Sequence, residues 1–125
     1  SVNGVVAAAA ACDLTIASSR ADEKSGSARI VLVADWQAPR PESALVEVRL
    51  DPGPEGTIAR TEAHPLAEYG MRAPDAEGSG SGCVPCARAQ AKAGLVQYSR
   101  GLAMGNMIRA TSCLADALNG TPAER

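Results

Sequence analysis

The chain has 125 residues, of which 46% are hydrophobic, and its formal net charge at pH 7 is -2. This length is typical of one domain and allows a core that folds independently, so we expect a single domain over residues 1–125. No apolar run approaches the roughly 18 residues of a membrane-spanning helix, and we predict no membrane span.

The charges are unevenly distributed along the chain. Residues 1–82 contain 12 acidic and 7 basic residues, whereas residues 83–125 contain 2 acidic and 5 basic residues. Tyr98 is the one aromatic residue in the basic segment. Surfaces that bind nucleic acid usually combine clustered Lys and Arg side chains with several aromatic side chains. We therefore expect no nucleic-acid binding. The expected partner is another protein or a second copy of the chain.

The N-terminal segment, residues 2–18, carries two competing signals. Five consecutive alanines favour a helix, whereas Leu14, Thr15 and Ile16 favour a strand. We predict that this segment closes the apolar face of a sheet, either as a strand or as a buried helix.

Residues 28–61 predict a small antiparallel sheet. Residues 28–35 are apolar on both faces, which is typical of an interior strand. Residues 44–50 alternate between apolar and charged side chains, with Glu47 and Arg49 on the solvent side. This pattern predicts a strand with one solvent-exposed face.

A turn signal, DPGPEG, occupies residues 51–56. Residues 57–61 can return after it as a short strand with Ile58 on the buried side. A three-stranded antiparallel unit is the expected result.

Residues 62–82 contain prolines and the sequence EGSGSG, and they predict a long loop with a flexible linker. The run at residues 78–82 is typical both of natural loops and of an engineered join or permutation site. His64, the only histidine, is expected to be an exposed loop residue. The alternative is a general base oriented by Glu62.

The C-terminal part predicts two helices, at about residues 84–100 and 104–118, separated near Gly101. Pro85 suits a first helical turn, and Asn119 begins an Asn-Gly signal for a helix end. The predicted fold class is α+β, in which a small antiparallel sheet (about residues 28–61 plus the N-terminal segment) packs against these two helices.

Four cysteines, Cys12, Cys83, Cys86 and Cys113, allow three pairings if all are bonded. Cys86 and Cys113 would lie about 40 Å apart on one straight helix, far beyond the reach of a disulfide. We predict that Cys83 pairs with Cys86 and that Cys12 pairs with Cys113.

The Cys83-Val84-Pro85-Cys86 motif leaves three interpretations open. In a redox pair at a helix start, Cys83 would be the nucleophile and Cys86 the resolving thiol, with Arg88 adding positive charge. The alternatives are a structural disulfide or inert thiols, and half of a zinc site.

Over these four residues the chain resembles the active-site motif of thioredoxin-like proteins, which implies thiol-disulfide exchange at Cys83 and Cys86. The longer stretch CVPCARAQAKAGL is similar to the alkylhydroperoxidase-like, or carboxymuconolactone decarboxylase, family. That family relays protons through a histidine at the position that Gln90 occupies here.

The sequence contains no Gly-rich phosphate loop and no Gly-x-Ser-x-Gly elbow. The leading hypothesis is therefore a small disulfide-stapled binding or structural module without catalytic activity, with no cofactor and no metal site. It would be secreted or located in the cell envelope, or cytoplasmic if the thiols are free. The alternative is a thiol-disulfide oxidoreductase with Cys83 and Cys86 as catalytic residues.

Overall fold

A computed structural model of the chain describes residues 2–71 and 99–119. Its elements, in chain order, are α1 (Val2–Ala11), β1 (Leu14–Asp22), β2 (Ser27–Ala34), β3 (Ala44–Gly53), β4 (Gly56–Pro65), α2 (Leu66–Met71) and α3 (Arg100–Leu118). The four strands form one antiparallel sheet in the order β1-β2-β3-β4. The predicted α+β class is confirmed, and the structure places helices on both sides of the sheet in chain order.

The N-terminal segment contains both of the structures that its sequence favours. Its alanine-rich half forms α1, and Leu14 begins β1, the strand that extends the predicted three-stranded unit to four. Asp13 separates the two elements in the left-handed region, with φ 56°. A residue in this conformation ends a helix, and aspartate adopts it more readily than most side chains.

The β3–β4 hairpin differs from its prediction in turn and register. Gly53 pairs with Gly56, so the loop is only Pro54 and Glu55, and Ile58 pairs with Asp51. Ile58 is therefore on the face opposite the helices and 44% exposed, and the prediction that it is buried is wrong. A two-residue loop fixes this register, because side chains alternate faces along a strand.

The long loop predicted for residues 62–82 is also wrong at its start. Residues 62–65 continue β4, and Leu66–Met71 forms α2. Residues 72–82, including the Gly/Ser run, lie outside the described residues.

The main core lies between one face of the sheet and the helices α1 and α3. Leu114 of α3 and Val5 of α1 are fully buried against apolar side chains of the strands. The strand side chains in this cluster are Leu14, Ala28, Ile30, Leu32, Val46, Val48 and Leu50. We call this side of the sheet the helix face.

Helix α3 begins at Arg100 rather than near residue 104, and it continues through Gly101 without a break. Ser99 caps its start, since the Ser99 Oγ accepts a hydrogen bond from the Leu102 amide at 3.2 Å. Packing of buried Leu114 offsets the weak helix propensity of glycine, about 1 kcal/mol per residue. The predicted helix at about residues 84–100 lies outside the described residues except for its end.

Among the helices of the described ranges, none combines the length and hydropathy that crossing a membrane would require.

The predicted Cys12–Cys113 disulfide is present. The S–S distance is 2.06 Å and the Cα atoms are 5.9 Å apart. The bond joins the residue that follows α1 to Cys113 in the C-terminal half of α3, so it fixes the two helices that cover the helix face.

Candidate functional site

The sheet face opposite α1 and α3 divides into an apolar half and a charged half. Val31, Val33 and Leu45 form the apolar half, and they pack with Leu66 of α2 in a second buried cluster. The charged half lies further along the same strands, on the same face as Val31, Val33 and Leu45. Its side chains alternate along each strand with the core side chains of the helix face. We call this half the charged face.

An arginine of every strand meets on the charged face at one level. Arg20 pairs with Arg29, Arg29 pairs with Arg49, and Arg49 pairs with Arg60. Since neighbouring strands are about 4.8 Å apart, the four residues cross the whole sheet over about 14 Å. We call this set the arginine row.

Two shallow clefts on the charged face confirm that the row forms one continuous surface. The first, of about 240 Å³, is lined by Arg29, Arg49 and Arg60 among others. The second, of about 340 Å³, is lined by Arg20, Arg29 and Arg49 together with Asp22 and Asp51. The clefts share two arginines, so together they bring all four to one surface.

Within the row, Arg29 has a strong partner. Its Nη2 and Nε atoms donate to Oε2 of Glu47, at 2.6 and 3.1 Å. Both side chains are largely buried, with 27% and 17% exposed. This ion pair holds the Arg29 side chain in the sheet.

Arg49 and Arg60 differ from Arg29 because neither side chain makes a hydrogen bond or an ion pair in the described part of the chain. The acidic side chains beside them are engaged elsewhere: Asp51 accepts a bond of 2.7 Å from the Ser27 hydroxyl, and Glu62 contacts His64 at 2.8 Å. Like charges directly opposite each other destabilise a sheet. The row therefore presents two exposed guanidinium groups that no acidic group of the described residues neutralises, and these groups can bind anions.

A second cluster borders the row on the same face and consists of Glu47, Glu62 and His64. Glu62 and His64 are two residues apart on β4, so they share a face, and Glu62 pairs with Glu47 across the ladder. The His64 Nε2 lies 2.8 Å from Oε1 of Glu62 and 3.4 Å from Oε1 of Glu47. Two carboxylates and one imidazole nitrogen thus converge on one point.

The structure corrects the sequence-based view of His64. This residue lies in β4 and is 7% exposed, not in an exposed loop. The alternative that Glu62 orients it agrees with the observed contact. The strand reaches this far because β4 pairs with β3 along its whole length, as far as Pro65 opposite Ala44.

A third cleft, of about 380 Å³, lies at the other end of the sheet beside the Cys12–Cys113 bond. Asp13 and Asp35 line it, and both have φ 56°. Asp35 is held by the buried Ser43, whose Oγ donates to Oδ2 of Asp35 at 2.9 Å. Its Oδ2 also contacts Arg40 at 3.5 Å, so this carboxylate serves the β2–β3 connection.

The predicted catalytic residues Cys83 and Cys86 both lie outside the described residues. Cys12 and Cys113, the two cysteines that the structure describes, are bonded to each other. The redox, disulfide and zinc interpretations of the Cys83 motif remain predictions.

No protein-family model matches this sequence, and comparisons with curated proteins and with solved structures find no match either.

Proposed function

We propose that this domain is a non-catalytic binding module that holds an acidic segment of a partner protein on its arginine row. Arg49 and Arg60 carry the proposal, because both are exposed and their guanidinium groups make no hydrogen bond or ion pair within residues 2–71 and 99–119. An arginine side chain binds a carboxylate through two parallel hydrogen bonds, which gives both orientation and affinity.

The surroundings of the row favour a short acidic peptide over a nucleic acid. Acidic residues border the row on both sides, with Glu47 and Glu62 on one side and Asp22 and Asp51 on the other. A continuous phosphate backbone would be repelled by these borders, whereas a peptide crossing the strands can place a few carboxylates on the row alone. An extended segment of about four or five residues covers the row's length of about 14 Å.

The rigid scaffold beneath the row supports a binding role. The row lies on paired strands, and the Cys12–Cys113 bond fixes the helices on the opposite face. Binding sites on rigid elements lose less conformational entropy when the partner arrives. A structural disulfide also persists in oxidising compartments, which supports a secreted or cell-envelope location.

The proposal is tested with fluorescein-labelled hexaglutamate and fluorescence anisotropy. We expect saturable binding that weakens when sodium chloride is raised from about 0.05 M to about 0.5 M, because salt screens exposed charges. The double variant Arg49→Gln/Arg60→Gln should bind at least about tenfold more weakly, a loss of about 1.4 kcal/mol.

The matched control is Lys24→Gln/Arg100→Gln, which removes the same charge at exposed positions outside the row. It should keep most of the affinity. Equal losses in the two double variants would refute a specific role for the row, because net charge alone would then explain the binding.

A further inference from the structure

We infer that Glu47, Glu62 and His64 form a site for one divalent transition-metal ion, for which Zn²⁺ is the appropriate probe. The donor atoms of the three residues all lie within 4.8 Å of one another. The inference does not rest on the proposed peptide binding, and none of the three residues belongs to the arginine row.

The donor types select the class of metal. Imidazole nitrogen suits zinc, copper, iron and nickel, whereas calcium and magnesium prefer sites made entirely of oxygen. Three protein ligands leave at least one coordination position for water or a further ligand, because Zn²⁺ takes four ligands in tetrahedral geometry.

The distances are close to those of a coordinated ion. Ligand atoms about 2.0 to 2.2 Å from a tetrahedral Zn²⁺ are separated by about 3.3 to 3.6 Å. The Nε2 of His64 already lies 2.8 Å from Glu62 and 3.4 Å from Glu47. A metal ion bound by these three atoms would therefore lengthen the distances from Nε2 to the two carboxylate oxygens by less than 1 Å.

The site is also ordered before any ion arrives. Burial fixes the His64 ring, whose side chain is 8% exposed. Glu47 is held by its ion pair with Arg29. Arg29 binds Oε2 of Glu47 and leaves Oε1 directed at His64. Hydrogen bonds of this kind orient metal-binding carboxylates in known sites.

The facing carboxylates and the access of the cluster favour a cation. Glu47 faces Glu62 directly across the ladder. A divalent ion would relieve the repulsion of that pair. The Glu62 side chain is 70% exposed, which provides a path from solvent to the buried ring.

The presence of one histidine in the whole chain allows a direct test. Nitrogen-15 NMR of the imidazole ring, recorded on the full chain without an affinity tag, reports only His64. We expect substoichiometric to equimolar Zn²⁺ to shift Nε2 much more than Nδ1, and EDTA to reverse the change. No change in the ring signals at saturating Zn²⁺ would overturn the inference.

The affinity is then measured by calorimetry in the background Cys83→Ser/Cys86→Ser, so that these thiols cannot bind Zn²⁺. Glu62→Gln should weaken binding at least about tenfold, since a ligand is lost. Its matched control is Glu55→Gln, the same charge change at an exposed position of the same hairpin. Equal affinities of these two variants would contradict the site, as would Ca²⁺ binding as tightly as Zn²⁺.

Failure of this site and failure of the proposed function can be distinguished. Glu62→Gln should lose Zn²⁺ binding but bind hexaglutamate at least as tightly as the native chain, because it removes a carboxylate that borders the row. Arg49→Gln/Arg60→Gln should lose hexaglutamate binding and still show the Zn²⁺-dependent shift of the His64 ring. A protein that gives only one of the two results retains only the corresponding site.

Discussion

Arg49 and Arg60 face each other across the β3–β4 ladder, and within the described residues neither side chain makes a hydrogen bond or an ion pair. A pair of like charges in this position lowers the stability of the sheet. The arrangement is costly for the isolated domain and useful for a domain that binds a partner with carboxylate groups.

Arg60→Gln should therefore stabilise the isolated protein slightly while weakening peptide binding. We expect the free energy of unfolding to rise by roughly a few tenths of a kcal/mol, because one like-charge pair is removed. Urea denaturation at low salt measures the change, which should shrink as salt is added. A clear loss of stability would show that Arg60 has a stabilising contact in solution.

Removing the long-range disulfide should destabilise the fold strongly. The bond closes a sequence separation of 101 residues, and the double variant Cys12→Ser/Cys113→Ser should lose about 2 to 4 kcal/mol. Calorimetry under oxidising conditions should show a melting temperature lower by roughly 10 °C. An unchanged melting temperature would mean that the bond does not form in solution.

Ser43→Ala should be destabilising despite its small change in volume. Ser43 is fully buried, its Oγ accepts from the Arg40 amide at 3.0 Å, and it donates to Asp35 at 2.9 Å. The variant loses both hydrogen bonds, and at about 0.5 to 1.5 kcal/mol for each bond it should cost about 1 to 3 kcal/mol. Ser19→Ala, at an exposed position of β1, is the control for urea denaturation and should change the stability little.

The redox alternative makes its own prediction about Cys83 and Cys86. If the domain is a binding module, Cys83→Ser/Cys86→Ser should leave hexaglutamate affinity unchanged. Alkylation of the native chain, followed by mass spectrometry across pH, should then find no fast-reacting thiolate below about pH 7.5. A reactive Cys83 would instead favour the thiol-disulfide oxidoreductase.

The sequence was sufficient to predict the α+β class, three of the four strands and the Cys12–Cys113 bond. These features depend on strong local alternation, as in β3, and on a small number of possible cysteine pairings. The predicted break between two helices near Gly101 is wrong. The Ser99 cap and the packing of α3 outweigh the low helix propensity of single glycines.

The arginine row was not predicted, because it depends on strand register rather than on local pattern. Register follows from the turns: Arg49 and Arg60 are equally distant from the two-residue loop at Pro54 and Glu55. Arg20 and Arg29 are likewise symmetric about the turn between β1 and β2. Counting outward from both turns is the signal that could have found the row.

The cluster at His64 was missed for a related reason. Residues 62–65 contain few strand-forming residues, and their extended structure depends on pairing with β3. Once β4 is known to reach Pro65, the i, i+2 spacing of Glu62 and His64 places both on one face, opposite Glu47.

The most direct test of the proposed binding function is to map hexaglutamate on the protein by amide NMR. We predict that the peptide shifts the signals of Arg20, Arg29, Arg49 and Arg60 and of their neighbours in the four strands, while signals of α1 and α3 stay in place. Shifts confined to the helices, or no shifts at a peptide concentration that saturates the anisotropy signal, would contradict the account.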